Sequence, residues 1–274
     1  MRVAAYQAPH LPFGSMDAVG LINDQLERCE REAVELLCCP DAVIGGLAYE
    51  PAGQSPDDVA LSLGEFRGLV RPLMASSVAS VIGFTERATD GRLFNSAAFL
   101  ADGDLHAVYR KVYPGYCTAI CAGTELPVAT FNDTTFGLMI CNDIWYVEPA
   151  RILASKGAAL ILIPTNSGHI RSEEVLTRLR RRGKNLPVAR AVDNTVTIVV
   201  ADIVGEQDGR QALGSSCIID PDGEVLAAAT DGEDDLIFAD LQPHSRPYDP
   251  RGWDGHLNPN VSREYTSLLT PTTD

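Results

Sequence analysis

The sequence feature that most constrains the fold is a cysteine placed between two short apolar runs. Cys141 follows the apolar run 136–140, and a second run covers 158–163. Runs of this length are typical of buried strands, and the segment 148–156 between them has helical composition. A cysteine between a buried strand and a helix would be held rigidly near backbone N–H groups, which favour a thiolate and can hold an oxyanion. The alternative is a buried structural cysteine.

The pattern of apolar residues along the chain predicts alternating strands and helices. Strands are predicted at 2–7, 36–39, 81–85, 134–140, 159–164, 195–202, 216–220, 224–229 and 235–240. A hairpin is predicted over 95–111, with its turn at 102–104. Helices are predicted at 15–35, 57–77, 148–156 and 172–194, the last one broken or kinked by Gly183 and Pro187.

This order of elements favours an α/β fold in which two mixed sheets pack face to face with helices outside, a four-layer α-β-β-α sandwich. An open doubly wound sheet is the alternative. No linker composition divides the chain, so we expect one domain over 1–241. The tail 242–274 is rich in Pro, Asp and Gly and carries Trp253 and Tyr265, so we expect it to pack on the body or on a partner subunit.

Composition excludes several classes of partner. The formal net charge of −15 argues against nucleic acid and against anionic membrane surfaces, because both bind basic faces. No window approaches the ~18–20 continuous apolar residues of a membrane span, and no signal-peptide pattern is present. Seven cysteines, an odd number, indicate a reduced cytoplasmic protein without a disulfide framework.

No cofactor or metal site is expected from the motifs. The pair Cys117 and Cys121 lacks a third cysteine or a histidine nearby that would complete a metal site. No phosphate-binding loop or dinucleotide fingerprint is present, so no nucleotide cofactor is implied. Ser215 and Ser216 lack the sequence context of a serine nucleophile, and the histidines offer no partner set for one.

Two charged residues at predicted strand ends are candidates to assist Cys141. Lys111 is one of three lysines and ends the segment Tyr109-Arg110-Lys111, where a cation could stabilise an oxyanion. Asp41 follows an apolar strand and a proline, where a carboxylate could act as general base. The alternatives are a solvated strand-end lysine and a turn or helix-cap acid. Glu50 is the next acid in this region.

These segments, in this order, resemble the carbon–nitrogen hydrolases of the nitrilase superfamily. The resemblance extends from residue 2 to about 241 and includes Cys-x-Asp followed by Glu-Pro-Ala-Arg at 148–151, and Arg-Ala-x-x-Asn at 190–194. It implies a cysteine-dependent hydrolase of small amide or carbamoyl compounds, with Cys141 as nucleophile, Lys111 holding the oxyanion and Asp41 as base. It also implies a homodimer or a larger homo-oligomer. The residues implied on the substrate side are Asn142, Trp145, Tyr116 and Asn166.

Two departures from the family pattern keep other functions open. The family's usual glutamate is Asp41 here, one C–C bond shorter, and no acid stands between Lys111 and Gly123, where a second glutamate usually orients the lysine. A non-catalytic protein that keeps the fold for binding is therefore the alternative from a different class. Acyl transfer to an amine and nitrile hydrolysis would use the same residues.

Overall fold

The strands of this chain form two sheets, with helices on their outer sides. The structure, a computed structural model, describes residues 1–115, 117–170, 172–241 and 263. In chain order the strands are β1 (Arg2–Pro9), β2 (Leu36–Cys38), β3 (Ala79–Arg87), β4 (Leu93–Ala101), β5 (Asp104–Arg110), β6 (Val128–Phe131), β7 (Thr134–Leu138), β8 (Leu160–Pro164), β9 (His169–Ile170), β10 (Thr197–Ala201), β11 (Ile203–Gln207), β12 (Arg210–Leu213), β13 (Cys217–Ile219), β14 (Val225–Ala228) and β15 (Asp235–Asp240). The α-helices are α1 (Ala18–Arg31), α2 (Leu63–Leu69), α3 (Glu148–Ser155) and α4 (Glu173–Asn194).

Parallel pairing in the middle of each sheet brings strand ends together. The first sheet has the order β5-β4-β3-β2-β1-β11-β12-β9, and β15 pairs with β1. The second has the order β14-β13-β10-β8-β7-β6. Strands β1, β2 and β3 run parallel, as do β7, β8 and β10. The carboxyl ends of neighbouring parallel strands lie at one edge of a sheet, which is where loops can combine functional side chains.

Three apolar clusters hold the layers. The cluster between the sheets contains Val3 and Phe99 from the first sheet and Phe136 and Leu162 from the second. A second cluster packs α1 and α2 on the outer face of the first sheet, where the ring of Phe66 stacks on Phe84 at 4.0 Å. The third packs α3 and α4 against the second sheet. The predicted four-layer sandwich is confirmed.

Most differences from the predicted elements have local causes. The helix predicted over 57–77 is only α2, Leu63–Leu69, because Ser62 and Glu65 form a capping box at its start and Pro72 follows its end. Of the break or kink predicted at Gly183 and Pro187, the break does not occur, since α4 continues through both. Pro187 is buried, and the packing of α4 on the second sheet offsets the helical hydrogen bond that a proline cannot donate.

The sequence reasoning also missed β6, β9 and the hairpin of β11 and β12. The predicted hairpin at 95–111 is confirmed as β4 and β5. No helix in the described part of the chain is long and apolar enough to cross a membrane. The predicted tail 242–274 lies outside the described residues, apart from Arg263.

Candidate active site

The structure brings together the three residues that the sequence nominates for catalysis. Asp41 lies three residues beyond β2, Lys111 directly follows β5, and Cys141 lies three residues beyond β7. Nζ of Lys111 is 3.3 Å from Oδ2 of Asp41, and both side chains act electrostatically on the thiol of Cys141. The site therefore lies at strand ends of both sheets and takes one charged pair from the first sheet and one thiol from the second.

Asp41 is fully buried, with one carboxylate oxygen left unpaired. Its Oδ2 faces Lys111, whereas Oδ1 has no hydrogen-bond partner among the described residues. Its backbone N–H donates to the carbonyl of Thr165 at 3.2 Å. Gly83 permits this placement, because a Cβ there would lie 2.5 Å from the carbonyl oxygen of Pro40. The unpaired oxygen is a free acceptor for a proton.

Lys111 keeps its charge although only 3% of its surface is exposed. Burial opposes the charge, but Asp41, Cys141 and Asp143 together raise the pKa of Lys111 above its ordinary value. Its backbone is fixed on both sides, since its N–H donates to the carbonyl of Asn95 and its carbonyl accepts from Gly123. An ammonium group held in this way can stabilise a developing negative charge without reorganisation.

Cys141 occupies a strained turn, and a short 3₁₀ segment separates it from the helix predicted at 148–156, which is confirmed as α3. Its φ is +43°, in the left-handed region that non-glycine residues rarely adopt. The segment Cys141–Trp145 is 3₁₀, and α3 begins only at Glu148. The backbone N–H groups of Cys141 and Asn142 have no acceptor among the described residues. They are therefore available to an oxyanion.

The thiol of Cys141 holds its proton at rest. Burial raises its pKa to about 11, although the charge of Lys111 acts in the opposite direction. This corrects the expectation that the surroundings of Cys141 favour a thiolate. Sγ lies 3.7 Å from the carbonyl oxygen of Asn166, which is two residues beyond β8. A protonated thiol needs a base before it can attack, and Asp41 is the adjacent carboxylate.

Asp143 is a further residue at the candidate site that the sequence reasoning did not nominate. Its Oδ2 accepts from the hydroxyl of Tyr109 at 2.7 Å and from N–H of Ile140 at 2.8 Å, and its Oδ1 accepts from N–H of Tyr113 at 2.9 Å. It thereby ties the turn of Cys141 to the loop after Lys111. Its charge also helps to raise the pKa of Lys111. The Cys-x-Asp spacing was the signal that could have identified it.

Asp202 fixes the loop that carries Asn166. This fully buried carboxylate accepts from N–H of Ser167 at 2.9 Å and from the hydroxyl of Ser215 at 2.6 Å. Burial raises its pKa, and the hydrogen bonds oppose that shift. No local motif marks Asp202, because its partners are distant in the sequence.

The predicted substrate-side residues have different surroundings. Asn166 lies at the site, where its Nδ2 donates to the carbonyl of Asp41 at 3.4 Å. Nδ2 of Asn142 donates to the carbonyl of Tyr113 at 3.1 Å. Trp145 is 41% exposed, and the guanidinium of Arg182 lies 4.3 Å from the centre of its ring. Tyr116 lies outside the described residues. Glu50, the next acid in this region, interacts with the thiol of Cys117.

Comparison with known proteins identifies the family. The model of the family described as carbon-nitrogen hydrolase matches residues 2–247. The chain is 28% identical over 238 residues to a Pseudomonas protegens protein called "Hydrolase in pqqF 5'region", covering 84% of this chain and 79% of that protein. It is 26% identical to a glutamine-dependent NAD(+) synthetase from Xanthomonas campestris over 74% of this chain, but spans only 38% of that protein.

A solved structure shares the fold over almost the whole chain. It is a mutant of the amidase from Nesterenkonia sp. AN1, with a TM-score of 0.76 and 25% identity, covering 97% of this chain and 99% of that chain. Its description reports Michael addition of acrylamide at the active site cysteine of that amidase. Because the family model covers nearly all of the described chain, and the two-sheet fold agrees with this structure, the chain belongs to the carbon–nitrogen hydrolase family.

Proposed function

We propose that this protein is a cofactor-free cysteine hydrolase that cleaves the C–N bond of a small amide or carbamoyl compound. The observation that carries the proposal is the buried pair of Asp41 and Lys111 beside the protonated thiol of Cys141. The pair supplies both groups that a thiol needs to attack an amide, namely a base for its proton and a cation for the oxyanion.

In the proposed reaction, Oδ1 of Asp41 takes the thiol proton while Sγ of Cys141 attacks the amide carbon. Lys111 and the N–H groups at the start of the 3₁₀ segment hold the oxyanion. The tetrahedral intermediate collapses, the C–N bond breaks, and the proton on Asp41 passes to the leaving nitrogen. Water then attacks the thioester, gives its proton to Asp41, and the acid leaves as the thiol is restored.

The electrostatics of the pair couple these steps. While Asp41 is ionised, it compensates the charge of Lys111 at 3.3 Å. When Asp41 takes the proton of Cys141, that compensation is lost, so the ammonium can act fully on the negative charge that forms on the substrate oxygen. Because the site is buried, the attraction between the ammonium of Lys111 and the charge on the substrate oxygen is stronger than it would be in water.

The non-catalytic alternative rested on the shorter acid and the missing second glutamate. The contact of Asp41 with Lys111 and the influence of Asp143 on Lys111 support catalysis instead. The Nesterenkonia amidase that shares the fold supports an amide as the substrate. Acyl transfer to an amine would proceed through the same thioester.

The test is a search for the acyl intermediate. The enzyme would be incubated with a panel of small amides, carbamoyl compounds and nitriles, then quenched and digested for mass spectrometry. We expect an acyl adduct on Cys141 and release of ammonia. Cys141→Ala should abolish both, whereas the control Cys121→Ala should retain both. Undiminished turnover in Cys141→Ala would refute the proposal, and the absence of both an acyl adduct and ammonia release across the whole panel would favour the binding protein.

We also infer a homo-oligomer, at least a dimer, in the cytoplasm. Large apolar side chains remain exposed in the segment that follows Cys141, at Tyr146 and Val147, and on α4, at Val192. Their exposure supports burial of this surface against a second copy of the chain. All seven cysteines are free, which supports a reducing compartment. Sedimentation at micromolar concentration should give a dimer or a larger species, and a clean monomer would contradict this inference.

A further inference from the structure

Arg210, the first residue of β12, is a buried cation without a counter-ion among the described residues. It is 4% exposed, and its Nε has no hydrogen-bond partner in the described part of the chain. Among the described side chains, its Nη2 lies 3.4 Å from Nε2 of His10, and its guanidinium carbon lies 5.2 Å from the ring centre of Tyr49. A guanidinium removed from water in this way is costly unless an anion accompanies it.

His10 offers a second donor beside this cation. Burial and the charge of Arg210 lower the pKa of His10 to about 4, so its ring is neutral near pH 7. Because Nε2 accepts from Arg210, the proton of the neutral ring is assigned to Nδ1. This Nδ1 is buried and also has no partner among the described residues. The unpaired groups of Arg210 and His10 are thus both hydrogen-bond donors.

Among the described residues, the one carboxylate with an electrostatic influence on both groups is already engaged. Asp208 is exposed, and its oxygens accept from Gln207 at 2.9 Å and from Gln54 at 3.3 Å. It is not within ion-pair distance of Arg210, although its charge raises the pKa of both Arg210 and His10. The donors therefore remain available to an acceptor from outside the described chain.

These donors lie close to the candidate active site. The Cβ that Gly168 lacks would be 3.1 Å from Cε1 of His10 and 3.2 Å from Oδ1 of Asn166. The carbonyl oxygen of Asn166 is in turn 3.7 Å from Sγ of Cys141. The sum of these contacts and the length of the Asn166 residue itself gives an upper limit of about 14 Å for the distance between the His10 ring and the thiol. Gly168 and Tyr49 are partly exposed, so the recess lies just beneath the surface.

We propose that Arg210, His10 and Tyr49 form a recess that binds a carboxylate at the far end of the amide substrate. This inference rests on the proposed function. It names the substrate class as linear amides that carry a carboxylate at the end of the chain opposite the amide. A carboxylate would accept from the guanidinium and the imidazole, while the amide carbon meets Cys141.

The first test compares matched substrates on the wild-type enzyme. Each of succinamate, glutaramate and adipamate is paired with the amide in which a methyl group replaces the carboxylate, namely butyramide, pentanamide and hexanamide. We expect kcat/KM to favour the carboxylate in at least one pair by on the order of 10²-fold, the usual effect of a buried charge-assisted contact. Equal or lower kcat/KM for every carboxylate would overturn the proposal while leaving amide hydrolysis intact.

The second test removes the cation. Arg210→Leu should reduce the preference for the carboxylate about tenfold or more, and Arg210→Lys should reduce it less, because lysine keeps the charge without the planar donors. The control is Arg87→Leu at the end of β3, which breaks a partly exposed ion pair with Asp57 and should keep the wild-type preference. A preference that survives in Arg210→Leu would overturn the assignment. If Arg210→Leu does not fold, Arg210→Lys gives the same decision.

A binding measurement separates this inference from the proposed function. Cys141→Ala would be titrated calorimetrically with glutaramate, pentanamide and inorganic phosphate, with and without Arg210→Lys. Arg210-dependent binding of glutaramate supports the recess even if the wild-type enzyme hydrolyses none of these amides. Tighter binding of phosphate than of glutaramate, or equal binding of glutaramate and pentanamide, would overturn the assignment of a carboxylate.

Discussion

The replacement Asp41→Asn tests the site most directly, because Asp41 has two separable roles. As general base it should contribute a factor of about 10²–10⁴ to kcat, the usual range for a positioned proton acceptor. As the buried counter-ion of Lys111, at 3.3 Å, it should also stabilise the fold. Removal of one partner of a buried ion pair typically costs about 3–5 kcal/mol in the free energy of unfolding. We expect the lower end, since Asp143 also acts on Lys111.

The double variant Asp41→Asn/Lys111→Met separates the two roles. Replacing both charges by neutral groups removes the uncompensated ammonium, so the double variant should recover ~2 kcal/mol or more relative to the sum of the single variants. Its activity should not recover, because both the base and the oxyanion cation are absent. Urea unfolding and ammonia release on one verified substrate measure the two quantities on the same samples.

The sign of the pH dependence offers an independent check. In Asp41→Asn, burial of Lys111 without its counter-ion should lower its pKa below that of the unfolded chain. The unfolded state then binds more protons, so the stability of the variant should rise with pH toward the unfolded pKa of lysine. The wild type should show no such rise, because its Lys111 pKa is raised.

A surface pair provides the matched control. Asp90 and Arg92 form an ion pair at 2.8 Å with both side chains more than half exposed, so Asp90→Asn should change the unfolding free energy by less than ~0.5 kcal/mol. If Asp41→Asn is as stable and as active as the wild type, both roles assigned to Asp41 are wrong. Glu50 then becomes the next acid to test.

Three further predictions follow from the geometry of the site. Because the pKa of Cys141 is raised to about 11, its alkylation by iodoacetamide should accelerate about tenfold per pH unit between pH 7 and 10, as followed by peptide mass spectrometry. A plateau near neutral pH would contradict this. Asp143→Asn should lower kcat about tenfold or more, and it should lower the free energy of unfolding in urea by ~1–3 kcal/mol, because an amide cannot accept all three hydrogen bonds. An unchanged kcat would remove Asp143 from the site. Gly83→Ala should also lower kcat, since its Cβ would lie 2.5 Å from a backbone oxygen beside Asp41. The control Gly68→Ala in α2 should leave kcat unchanged, because its Cβ would have no atom within 4 Å.

Local patterns in the sequence, together with the resemblance to the carbon–nitrogen hydrolases, predicted the sandwich and nominated the three residues that the structure brings together. Buried strands appear as short apolar runs, and Asp41, Lys111 and Cys141 each stand within three residues of such a strand's carboxyl end. The hairpin of β4 and β5 followed from its turn residues at 102–104. Element boundaries were less predictable, because capping at Ser62 shortened one helix and burial of Pro187 preserved another.

What the sequence by itself determined is most of the strands, the place of Cys141 after one of them and the residue types at the strand ends, since each depends on neighbours a few positions apart. Only the tertiary structure decided which distant groups act on these residues. Lys111 meets Asp41 across 70 positions, Ser167 meets Asp202 across 35, and Arg210 meets His10 across 200. Burial also decided the protonation of Cys141, because its desolvation outweighs the charge of Lys111. Such effects depend on the distances and solvent exclusion that packing of the two sheets creates, and no local pattern encodes them.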